Sequence, residues 1–76
     1  MKAYIFVHVA PGKNADVVQQ LRRLEGVKSA DICWGLPDII ALVEAADART
    51  LQDFVLNRVQ SIAGVTKTDT HLVFEK

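Results

Sequence analysis

The sequence predicts an α+β chain of element order strand-helix-strand-strand-helix-strand. This is the ferredoxin-like βαββαβ arrangement, a four-stranded antiparallel sheet with two helices on one face. Three observations predict it. Lys2–Val9 (KAYIFVHV) and Ile39–Val43 (IIALV) are apolar on both sides of the pleat, as central strands covered on both faces are. Two other segments switch to helical spacing. The runs Leu24-Glu25-Gly26-Val27 and Ile62-Ala63-Gly64-Val65 close those helices alike, apolar-x-Gly-Val, which marks two matching halves rather than a repeat array.

Taken in order, Lys2–Val9 is rich in β-branched and aromatic residues and reads as the first strand. Ala10-Pro11-Gly12 breaks it. From Lys13 to Leu24 the apolar residues Val17, Val18, Leu21 and Leu24 recur at helical offsets, with Asn14 as N-cap, Asp16 near the positive end of the dipole and Gly26 as C-terminal cap. Val27–Trp34 mixes Lys28, Ser29 and Asp31 with Val27, Ala30 and Ile32, a polarity that suits an edge strand. A tight turn follows at Gly35-Leu36-Pro37, and the third strand runs from Asp38. Asp47 caps the second helix, whose stripe is Leu51, Phe54, Val55, Val59 and Ile62, and Gly64 ends it. Val65–Phe74 is the last strand, its Thr66, Thr68 and Thr70 alternating with Lys67, Asp69 and His71, again an edge pattern.

Right-handed crossovers in each half place strands one and three in the middle and two and four outside. Polarity alone picks the same pair. Both helices then lie on one face, and nothing in the chain remains to cover the other. A large open apolar face marks an interface, and its simplest cover is the same face of a second copy. Tyr4, Phe6, Ile40 and Leu42 are the residues expected at that homodimer interface.

Composition agrees. Seventy-six residues make a single domain, 1–76, and half of them are hydrophobic. A chain this short buries only roughly 60–65% of its unfolded surface, so its core needs support. One cysteine excludes an internal disulfide, and two widely spaced histidines make no zinc pattern. Neither a metal nor another cofactor is expected. Nine basic and nine acidic residues balance, without a cationic patch for nucleic acid. No apolar run reaches membrane-spanning length. A lone thiol and no export pattern at the start point to the cytoplasm.

Candidate chemistry centres on the turn. Asp38 either satisfies turn amides or holds a ligand's ammonium group, and Gly35 either makes the turn or lets a ligand approach the backbone. Thr68 and Thr70 share one side of the last strand, as good strand formers or as two hydroxyls aimed at a small polar ligand. His8 and His71 sit on neighbouring strands and read as solvated. Cys33 reads as an inert, partly buried thiol, and Trp34 as core or interface. Pro11-Gly12 resembles a phosphate loop only superficially. There is no nucleophile-base set, nucleotide fingerprint or spaced acid pair, so no enzyme is expected.

Taken together, Ala3-Tyr4-Ile5-Phe6-Val7, Leu24-Glu25-Gly26-Val27, Gly35-Leu36-Pro37-Asp38-Ile39-Ile40 and Ile62-Ala63-Gly64-Val65-Thr66-Lys67-Thr68-Asp69-Thr70 resemble the effector-binding (RAM) domain of the Lrp/AsnC, or feast/famine, transcriptional regulators. The resemblance covers nearly the whole chain. It implies a dimeric αβ-barrel with facing sheets, assembly of dimers into octamer-like rings, and an amino acid or related small molecule bound between dimers. On matching positions the ligand residues would be Gly35, Leu36, Pro37, Asp38, Thr68 and Thr70. Members usually carry an N-terminal helix-turn-helix, and this sequence begins at the first strand. The expectation is therefore a stand-alone effector domain that does not bind DNA itself and acts, if on transcription, through full-length Lrp/AsnC regulators. Two other classes share the element order: a dimeric αβ-barrel enzyme of the antibiotic-biosynthesis monooxygenase type, and an ACT-like amino-acid sensor. The first would want polar or haem-directed groups lining a cavity, and the short apolar strands offer few.

Overall fold

In the computed structural model, residues 1–74 are described. Their elements are β1 (Lys2–Val9), α1 (Asn14–Arg23), β2 (Val27–Ile32), β3 (Ile39–Glu44), α2 (Ala48–Phe54) with a π-helical continuation Val55–Val59, and β4 (Val65–Leu72). The sheet order is β2-β3-β1-β4, antiparallel throughout. The two strands without polar alternation are therefore the central ones, and the two polar strands are the edges.

Alternation in the central strands divides their residues cleanly. Ala3, Ile5 and Val7 of β1 and Ile39, Ala41 and Val43 of β3 are buried. They pack with Val17, Val18 and Leu21 of α1, Leu51 of α2, and Val55 and Val59 beyond it in one core. Each Val, Leu or Ile side chain among them contributes about 1.5–3 kcal/mol through burial. The opposite set, Tyr4, Phe6, Ile40 and Leu42, stays half-buried or exposed. Strand register makes Tyr4 the partner of Leu42 and Phe6 the partner of Ile40, so the four residues named from sequence form one contiguous patch on the helix-free face.

The two halves echo each other in detail. Leu24 O accepts from Val27 N at 3.2 Å and Ile62 O from Val65 N at 3.1 Å, closing the same four-residue turn. Gly26 (φ 97°) and Gly64 (φ 101°) hold its third position, where L side chains are strained. A Cβ on Gly64 would stand 3.0 Å from Lys13 Cβ.

Several local expectations are corrected. Lys13, not Asn14, is the N-cap of α1, and no side chain caps it. That helix ends at Arg23 with an extended Leu24, so Gly26 serves the turn two residues on and not the helix cap itself. β2 stops at Ile32 and β4 at Leu72, short of Trp34 and Phe74. Trp34 is fully exposed (105%) rather than in the core of the protomer. The second helix is not uniformly α: Gln60 N bonds Val55 O, one residue further back than the α pattern. Asp47 does cap it, accepting from Thr50 N at 2.8 Å.

Candidate functional site

The turn between β2 and β3 is fixed from several sides. Cys33 N donates to Asp38 O at 2.7 Å and closes the hairpin, with Gly35 at φ 112° supplying the reversal. Asp38 N donates to Val7 O at 3.1 Å, and Asp38 Oδ2 accepts from Val9 N at 2.9 Å. The last bond has a structural origin. The β1–β3 ladder ends at Val7 and Ile39, and β3 begins only at Ile39, so no strand residue stands ready for the Val9 amide. The Asp38 carboxylate takes that place. Its Oδ1 has no protein donor among the described residues. Pro37 is half-buried, while Leu36 (81% exposed) and Trp34 stand out at the tip.

Thr68 and Thr70 lie on one face, as expected from their spacing. Register pairs them with Val7 and Ile5, which puts both on the helix side of the sheet. Thr68 Oγ1 accepts from Gln60 Nε2 at 2.8 Å, at the end of the π-helical segment. Thr70 lines a groove of about 290 Å³ with Leu51, Gln52, Val55, Leu56 and Leu72. Sequence reasoning missed this groove. Its signals are Leu56, an apolar residue off the helical stripe, and Leu72 in an otherwise polar strand. The turn residues line neither this groove nor the cavity beside Thr68. The structure thus brings the two threonines onto one face and keeps the turn at the end of the sheet, in no cavity shared with them.

The helix-free face carries the remaining titratable groups of the sheet. Asp69 Oδ2 is 3.6 Å from His8 Nε2 and 3.8 Å from Lys67 Nζ. His71 stacks on Phe6, ring centroids 4.4 Å apart. Across the patch, Lys28 Nζ is 3.7 Å from Glu44 Oε1. The histidines therefore sit beside Asp69 and Phe6 rather than against each other. An apolar centre with a charged rim is the anatomy of a protein interface. No helix among the described residues is long and apolar enough to cross a membrane.

This geometry has known counterparts. The Lrp/AsnC ligand binding domain family matches residues 2–76. The chain is 31% identical over 70 residues to the HTH-type transcriptional regulator LrpA of Pyrococcus horikoshii, covering 92% of this chain and 50% of LrpA. It spans about half the length of the curated relatives it matches. Among solved structures, FFRP-DM1 superposes with a TM-score of 0.91 at 26% identity, covering 96% of this chain and 97% of that one. A Neisseria meningitidis transcriptional regulator in complex with L-Met superposes at 0.87 with 25% identity, covering 99% of this chain and 50% of the regulator. LrpA and the Neisseria protein are transcriptional regulators. The chain belongs to the Lrp/AsnC ligand-binding domain family.

Proposed function

We propose that this domain senses an amino acid or a closely related small molecule and couples its binding to self-association. The observation that carries the reading is the β2–β3 tip. It is held by backbone bonds at both ends, yet it presents two exposed apolar side chains and a carboxylate oxygen without a donor among the described residues. Leu36 and Trp34 add little to the core and are available to a ligand or a second copy. The complex of the Neisseria relative with L-Met supports the ligand class.

An amino acid offers one anion and one cation. Turn amides near Gly35 suit the carboxylate. Asp38 suits the ammonium through a charge-assisted bond worth about 1.5–3 kcal/mol. Because Thr68 and Thr70 share no cavity with the turn of their own protomer, a ligand that meets both sets lies between copies. In this reading Tyr4, Phe6, Ile40 and Leu42 form the face-to-face homodimer, and dimers join into larger, octamer-like assemblies around the ligand. The balanced charge supplies no electrostatic footprint for DNA. Any influence on transcription then runs through mixed assembly with full-length family regulators, which places the domain with them in the cytoplasm.

Calorimetry with the standard L-amino acids, L-Met first, tests this. At least one should bind, and Asp38→Asn should weaken it by roughly tenfold or more. The Asn oxygen can still accept from Val9 N, so the fold is kept. Unchanged affinity in both Asp38→Asn and Thr68→Val would move the site elsewhere. Failure of every amino acid to bind would sink the sensing role.

A further inference from the structure

The two helices make little backbone contact with each other. Between them, at the end of α1, opens a cavity of about 350 Å³ lined by Arg23, Leu24, Glu25, Phe54 and Arg58. Local geometry brings these residues together. Arg22 and Arg23 are neighbours on a helix and so do not share a face. Arg22 turns to the sheet edge, where its Nε donates to Ala30 O at 2.8 Å, and Arg23 lines the cavity. Phe54 and Arg58 are four residues apart and share one side of the second helix. Leu24 and Phe54 are half-buried and rest on the core, while both arginines and Glu25 are exposed. The cavity therefore has an apolar floor and a charged rim.

The rim arginines have no partners of their own. Ion pairs among the described residues engage His8, Arg22, Lys28 and Lys67. The guanidinium groups of Arg23 and Arg58 enter none of them, and Glu25 pairs with neither. A helix C-terminus favours a nearby cation. It does not require that arginines from two helices meet over one apolar floor. Each guanidinium is a planar fork that matches a carboxylate or a phosphate.

We infer that this cavity is a second binding site, for a small organic anion: an oxyanion head on an apolar body. The head, carboxylate or phosphate, bridges Arg23 and Arg58, and the body lies on Leu24 and Phe54. Neither the β2–β3 tip nor Thr68 or Thr70 lines the cavity, so the site does not depend on the amino-acid reading above. Glu25 stands on the same rim and opposes the head by like charge.

Titration of the isotope-labelled natural protein with benzoate and with phenyl phosphate, followed by amide NMR, tests this. At least one probe should shift the amides of Arg23, Leu24, Glu25, Phe54 and Arg58 saturably and leave those of Gly35 and Asp38 in place. The probe that binds more tightly identifies the head group. Arg23→Gln and Arg58→Gln, both at exposed side chains, should each weaken that binding by roughly tenfold, and Glu25→Gln should tighten it. Inorganic phosphate, which has no apolar body, should bind at least roughly tenfold more weakly than the better probe. No saturable shift with either probe, or unchanged affinity in both arginine variants, overturns the proposal. So does inorganic phosphate binding as tightly as the better probe, which would mean an adventitious ion only.

Discussion

Asp38 shows how one side chain serves two demands. Its Oδ2 holds the Val9 amide just beyond the β1–β3 ladder and so ties the start of β3 to the end of β1. Removing it strands a part-buried amide, at a cost of about 1–3 kcal/mol. Urea unfolding should show Asp38→Ala destabilised by that amount and Asp38→Asn close to the natural protein; equal stability of all three would mean that the bond contributes nothing. The sequence flagged the residue and left two roles open, a turn amide or a ligand. What decided the partner was the β1–β3 pairing, which ends at Val7 and Ile39 and so brings Val9, twenty-nine residues away in the chain, beside Asp38; no local pattern around Asp38 reveals it.

At the scale of elements, caps and breaks follow local chemistry more closely than strand ends do. Asp47 was readable as a cap, and it is one, because an N-cap needs only a short acceptor ahead of the helix. Its bond from the Thr50 amide, assisted by the Thr50 side chain, holds the carboxyl below the usual aspartate range. The folded state thus favours the charged form. The stabilisation is present above the unfolded value and fades as pH falls through the lower folded one. Asp47→Ala should therefore lower the urea midpoint at neutral pH, and the gap to the natural protein should close below about pH 4. A gap independent of pH would mean that the cap acts without its charge. Asn14, by contrast, had the right chemistry and lies one residue inside the helix. The π-helical turn at Val55–Val59 has no local signal either, since the apolar stripe reads the same for both helix types over so short a run.

For the whole molecule, the uncovered sheet face dominates. Tyr4, Phe6, Ile40 and Leu42 make one patch because their registers align, and no element among the described residues covers it. Ile40→Asp should abolish self-association through this face, since burying an unpaired charge costs several kcal/mol. Light scattering measures it, and the melting temperature of the natural protein should rise with concentration while that of the variant does not. A folded natural protein that stays monomeric at all concentrations would reject the interface.

The sequence by itself determined the element order, the central and edge strands, the helix-facing stripes and the paired glycine turns. Each of these depends on residues within one strand, one helix turn or one four-residue reversal, where periodicity and backbone preference act directly. Tertiary structure alone decided which partners those elements find. The carboxylate at the turn meets a β1 amide, the threonines face the helices, and Arg22 bonds the outer edge of β2. Those outcomes depend on registers between strands far apart in the chain, and a shift of one residue would reverse every face.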